Sequence, residues 1–203
     1  CKWLKFYDLR SKSFATGFLG RVKKRLDKEG IEYRTKDERR TLATRGNANQ
    51  MPFEDIEQRA EQLEALNAAL DKKRGILHMA TNSGKTAVAA AATYAVMTSK
   101  RTFAEGPLQI AYMCPTEILA TQHFESFIQF FSYMPIQIGL ITGSGCRKFP
   151  SKSARWENGS QIKTWTPIAK NQLLKWIKNG EIPIVIGTHA LIQKTVAFKN
   201  LAY

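Results

Sequence analysis

From residue 108 to the end, short apolar runs alternate with longer segments whose apolar positions recur every three or four residues. Leu108–Cys114, Ile136–Ile141 and Ile182–Ile186 have the length and β-branched content of buried strands. Glu117–Phe131 and Ala169–Asn179 carry the helical period between them. Upstream, a helix is expected from residue 54 to about Leu70, with Leu63, Leu66 and Leu70 spaced by three and four. A short buried strand, Gly75–Met79, a glycine-containing turn and an Ala/Val-rich helix from Thr86 to about Ser99 follow. Strands alternating with helices predict an α/β fold, a parallel sheet with helices on both faces.

The first residues read as a smaller α/β piece. Trp3–Tyr7 has the aromatic richness of a strand, and Asp8–Thr16 is polar and turn-like. An amphipathic stretch then places Leu19, Val22 and Leu26 on one face among Arg21, Lys23, Lys24, Arg25 and Lys28, with Gly30 as its terminating glycine. Ile31–Tyr33 could form a following strand. The chain therefore divides into a basic N-terminal fragment (1–45), a polar linker (46–53) and a larger domain (54–203).

Charge adds a functional signal. The net charge is +14, and residues 1–50 hold 14 Lys/Arg against 6 acids, while 111–203 hold 10 against 4. Two basic blocks around a neutral one suit a polyanion, and a soluble basic surface is the plainer reading. No apolar run reaches the roughly 18 residues of a membrane-spanning helix, and no membrane role is expected. Three cysteines without a CxxC pair exclude a disulfide framework and fit a reducing, cytoplasmic setting.

The sharpest chemical feature is Ala80-Thr81-Asn82-Ser83-Gly84-Lys85-Thr86, between an apolar segment and a helix. A turn of this kind aims backbone N–H groups and a positive helix end at phosphates. Lys85 would bring a point charge to the β- and γ-phosphates, and the Thr86 hydroxyl would ligate Mg²⁺. Met79 stands where the general phosphate-loop pattern has its first glycine, and Asn82 tolerates positive φ in place of an interior glycine. ATP and Mg²⁺ are the implied cofactors. Arg59-Ala-Glu-Gln62-Leu-Glu-Ala65, one helix upstream, resembles the segment that superfamily 2 helicases place before this loop, with Glu61 where an aromatic is usual; the resemblance implies that Gln62 is an adenine-reading amide, while on the residues alone it could be a plain surface glutamine.

With the phosphate loop placed, further segments resemble superfamily 2 helicases, whose first motor domain has a RecA-like fold. Ile110-Ala-Tyr-Met-Cys-Pro-Thr-Glu-Ile-Leu-Ala-Thr-Gln-His123, Ile138–Ser144, Ile184-Val-Ile-Gly-Thr-His-Ala-Leu-Ile-Gln193 and Val196–Ala202 resemble motifs of RecG-type branch-migration helicases. Residues 1–86, through Tyr7-Asp-Leu-Arg, Thr16-Gly-Phe-Leu-Gly20 and Arg74–Thr81, resemble phage recombination helicases of the UvsW kind. The resemblance implies an ATP-dependent DNA helicase or translocase of branch migration, recombination or repair. It also implies a second motor domain in the full protein and an acidic DExH box expected beyond Tyr203, so that this chain alone would not hydrolyse ATP. It assigns Pro115, Thr116, Gln122, His123, Thr142, Gly143, Gly187, Thr188 and His189 to a strand-binding track, on branched DNA or a single-stranded/duplex junction. RNA is not distinguished from DNA. Taken singly, Thr116 and Thr188 could equally be helix caps, and the histidines ordinary ones.

Gly145–Pro167 is expected as a long polar loop of 23 residues. Its cations, Arg147 and Lys148 first, interleave with aromatics in a way that suits nucleic acid, or its tryptophans pack down onto the domain. Two other classes remain: a P-loop ATPase with no nucleic-acid role, and a non-catalytic DNA-binding module centred on residues 1–50.

Overall fold

The computed structural model describes residues 7–8, 13–14, 19–34, 51–53, 59–71, 76–98, 108–151, 156–157, 160–161 and 165–202. The chain splits into two compact units, Cys1–Arg40 and Thr41–Tyr203. In the first, β1 (Tyr7–Asp8) pairs antiparallel with β2 (Ser13–Phe14), and α1 spans Leu19–Lys28. Gly30, at φ 69°, ends α1 as expected: Ile31 N–H donates to the Leu26 carbonyl at 3.0 Å and Gly30 N–H to Asp27 at 3.2 Å. A residue at positive φ lets the chain turn back onto the last carbonyls. Residues 31–34 form no strand, and Ile31 and Tyr33 are exposed, because no described segment pairs with them.

The second unit is built on a five-stranded sheet, in the order β3 (Ile110–Met113), β9 (Ile184–Gly187), β4 (Ile138–Ile141), β5 (Cys146–Phe149) and β8 (Thr166–Ile168). Its parallel part is β3, β9 and β4. Ile184 and Ile186 face one core cluster and Val185 the other, so β9 is apolar at every position. On the first face lie α2 (Ala60–Asp71), α3 (Lys85–Thr98) and α4 (Glu117–Phe130), and on the second α5 (Lys170–Asn179). Phe124, Phe127 and Phe131 are wholly buried beneath the first face, each side chain contributing about 1.5–3 kcal/mol by leaving water.

Three expectations for the second unit are corrected. The stretch read as a polar loop contains β5 (Cys146–Phe149) and β8 (Thr166–Ile168), which extend the sheet antiparallel and make it mixed. Between them β6 (Trp156–Glu157) and β7 (Ser160–Gln161) pair as a separate hairpin. Two adjacent cations in β5 concealed the strand: Lys148 is buried, its ammonium donating to the Pro150 carbonyl at 3.3 Å and lying 5.7 Å from the Trp176 ring. Trp165 packs against the core, as the alternative reading of the tryptophans had it.

Second, residues 76–80 are not a buried strand. Ile76 is 95% exposed, and no described strand pairs with the segment. Third, Met51 and Phe53, at the end of the segment read as linker, are buried; Phe53 stacks on Phe130 at 5.0 Å and meets Phe131 edge-on at 5.9 Å. No helix among the described residues is long and apolar enough to cross a membrane.

Candidate nucleotide site and nucleic-acid face

The loop from Ala80 to Gly84 leads directly into α3. Asn82 has φ 62° and Gly84 φ 77°, so the two positive-φ positions fall where the sequence had an asparagine and a glycine. Ser83 closes the turn, its hydroxyl donating to the Ala80 carbonyl at 2.7 Å. The first turn of α3 carries no acidic residue, so its unpaired N–H groups and positive dipole end stay uncompensated. Thr81, Asn82 and Lys85 are exposed around that end, and Thr86 is half-buried. This geometry fits a phosphate chain: a cradle of backbone donors, a cation and a hydroxyl at a helix start.

Gln62 on α2 is 4% exposed and holds the loop from behind. Its amide donates to the Ser83 carbonyl at 3.1 Å, and its own oxygen accepts from Arg59 N–H at 3.4 Å. The Arg59 guanidinium donates to the Asn82 carbonyl at 3.3 Å, a contact the sequence reading had not singled out. A side chain at Gly84 would run into the Gln62 amide.

Pro115, Thr116, Thr142, Gly143, Gly187, Thr188 and His189 lie at the C-terminal ends of β3, β4 and β9, the edge of an α/β sheet where ligands bind. There a cleft of about 330 Å³ is lined by Glu117, Thr142, Gly143, Ser144, Lys170, Thr188, His189 and Gln193, among others. Pro115 and Thr116 are exposed at the start of α4, where Thr116 caps the helix by accepting from Leu119 N–H at 3.3 Å. Thr142 is buried and its hydroxyl donates to the Gly145 carbonyl at 2.9 Å. Gly143 is exposed, and its N–H donates to Glu117 Oε1 at 2.7 Å. Hydrogen bonds from Ser144 and Gly143, with a smaller contribution from His189, hold the Glu117 carboxyl below its ordinary range. Glu117, Ser144 and Lys170 are members of this cleft that the sequence reading missed.

Gly187 is a packing glycine: an added Cβ would lie 2.5 Å from the Ile141 carbonyl. Thr188 is buried, His189 and Gln122 are exposed, and Arg147 is half-buried with its guanidinium 4.2 Å from the centre of the Trp165 ring. Lys148 is buried, with its ammonium donating to the Pro150 carbonyl at 3.3 Å. His123 sits apart from the cleft, with Nδ1 3.2 Å from the Thr86 hydroxyl and its ring edge-on to Tyr112 at 5.1 Å. Burial lowers its pKa, which favours the neutral ring. Burial also pushes the Cys114 thiol up to about 11, leaving it unreactive at neutral pH.

Comparison with known proteins identifies the family. The DEAD/DEAH box helicase family model covers residues 59–203. The ATP-dependent DNA helicase RecG of Aquifex aeolicus is 36% identical over 143 residues, 70% of this chain and 14% of that protein. RecG of Thermotoga maritima is 34% identical over 155 residues, 74% of this chain and 16% of that protein. The transcription-repair-coupling factor of Bacillus subtilis is 29% identical over 74% of this chain and 11% of its own length. The chain thus spans only a small part of these relatives. In fold it is similar to the UvsW helicase from bacteriophage T4, with a TM-score of 0.54 at 18% identity over 93% of this chain and 58% of that one. On its matched residues and the loop they build, the chain belongs to the DEAD/DEAH box helicase family.

Proposed function

We propose that this chain is the ATP-binding part of an ATP-dependent DNA helicase or translocase, working in branch migration, recombination or repair. The observation that carries the reading is the loop before α3, where Asn82 and Gly84 both take positive φ and deliver Lys85 and Thr86 to an uncompensated helix start. Bound ATP–Mg²⁺ would supply the phosphoryl group whose transfer to water drives the motor. Lys85 would hold the β- and γ-phosphates, the Thr86 hydroxyl would face the metal, and backbone N–H groups of residues 81–86 would wrap the phosphates. Gln62, with Arg59, keeps that loop in shape.

The cleft at the strand ends is the proposed nucleic-acid face. Pro115, Thr116, Gly143, His189 and Lys170 offer exposed groups there, and Gln122 continues the row along α4. Hydroxyl and cationic donors such as Thr116 and Lys170 hold phosphates without reading bases, which suits a motor that must move along any sequence. A branched or junction DNA is the preferred substrate class, and a second motor domain completes the machine in the full protein. The basic fragment 1–45 is an additional phosphate-binding surface, on which α1 buries none of its residues.

Titrating a fluorescent ATP analogue and labelled forked DNA into the chain tests both halves. Nucleotide binding that Lys85→Ala abolishes, with DNA binding retained, is the expected result. Nucleotide binding without any DNA binding at low salt would replace the helicase reading by a P-loop ATPase acting elsewhere. DNA binding that survives deletion of residues 51–203 with undiminished affinity would move the whole of it to the N-terminal fragment.

A further inference from the structure

His123 belongs by sequence to the row of residues expected along the DNA strand, yet it lies at the phosphate loop. It projects from the second turn of α4, and Tyr112 of β3 holds its ring edge-on at 5.1 Å. Its neighbour Gln122 stays exposed, so the helix sends the two side chains to different sites. The nitrogen of His123 nearest the loop, Nδ1, is engaged with the hydroxyl of Thr86 at 3.2 Å.

We propose that His123 is a positioning residue for the nucleotide-bound Mg²⁺, accepting a hydrogen bond from the Thr86 hydroxyl so that the oxygen's lone pairs are left for the metal. The inference rests on the phosphate-loop reading given above. A threonine hydroxyl has one proton and two lone pairs. Coordination to a cation draws electron density from the O–H bond, and a nearby acceptor then becomes more favourable. Without one, a helical threonine turns its hydroxyl onto a carbonyl of the preceding turn, which directs the lone pairs away. Groups that orient a metal ligand from behind typically contribute about 10–100-fold to metal affinity or activity.

The test is binding of a fluorescent ATP analogue to the 203-residue chain in Mg²⁺ and in EDTA, with circular dichroism as the folding control. His123→Phe keeps the ring against Tyr112 and removes the acceptor. It is expected to weaken binding in Mg²⁺ by about 10-fold or more and to leave binding in EDTA unchanged. His123→Asn, which places an amide oxygen near the former Nδ1, should recover most of the loss. In a Thr86→Val background His123→Phe should cost nothing further. Wild-type affinity of H123F in Mg²⁺, an equal loss in both buffers, or no recovery in H123N would each overturn the proposal. So would a loss of DNA affinity with Mg²⁺–nucleotide binding intact, which would return His123 to the strand. If the wild-type chain and Lys85→Ala bind the analogue alike, the phosphate-loop reading fails and this inference fails with it.

Discussion

The Gln62 side-chain amide occupies the space that a β-carbon at Gly84 would need, while donating to the carbonyl of the residue just before it, Ser83. One contact therefore fixes both the shape of the phosphate loop and the identity of its glycine. Gly84 also has φ 77°, which any other L residue adopts at a cost of roughly 1–3 kcal/mol. Gly84→Ala is expected to lower thermal stability and remove nucleotide binding. Gln62→Ala in the same chain should relieve the collision and leave the backbone strain, recovering part of the stability. If the double variant melts no higher than G84A alone, the Gln62 contact is not what excludes a side chain at that position.

A second buried amide ties together elements far apart in sequence. Gln109 is fully buried; its nitrogen donates to the Ile177 and Ile182 carbonyls at 2.9 and 3.0 Å. Its oxygen accepts from Lys199 and Asn200 N–H at 2.8 and 3.1 Å. Replacing it with leucine strands several backbone groups, each at about 1–3 kcal/mol when buried without a partner. Gln109→Leu should therefore destabilise the chain by about 3 kcal/mol or more in urea unfolding. A shift below 1 kcal/mol would mean that these groups find water instead.

How far the sequence discloses this molecule depends on whether a residue's role is local. β9 could be read because Ile-Val-Ile is buried on both faces, and α4 because its apolar period is helical. Asn82 was readable because positive φ is a property of one residue and its side chain. β5 was hidden because Lys148 is satisfied by the Pro150 carbonyl and the Trp176 ring, neither visible from residue 148 itself. Ile76 and Leu77 misled in the opposite direction, since an apolar run becomes a strand only beside a strand. In the site, the loop was legible as a motif. The Thr86–His123 contact joins residues 37 apart, and only the packing of α3 on α4 brings them together.

Glu117 predicts a pH dependence. Its folded-state pKa is depressed by hydrogen bonds from Ser144 and Gly143, so the carboxylate form favours the native state. Its contribution is fully present above the ordinary value of 4.5 and is lost as pH falls through the lower folded value. Glu117→Gln should leave a stability curve that falls less steeply below pH 4.5, measured by urea midpoints across the acid range. Parallel curves for the two proteins would show that the turn at Gly143 does not depend on the charge.

Nucleic-acid binding can be assigned to one lysine or another by its response to salt. Lys170 lines the cleft and is exposed, whereas Lys148, close by in β5, is buried with its ammonium turned to Pro150. Each phosphate-contacting lysine contributes about one to the slope of log affinity against log salt. Lys170→Ala should weaken binding by a similar factor for unrelated DNA sequences and reduce that slope by about 1. Lys148→Met, checked for folding by circular dichroism, should leave the slope as it was. A reversed outcome, with the slope changed by K148M and untouched by K170A, would place the strand on the far side of β5 and away from the cleft at the ends of β4 and β9.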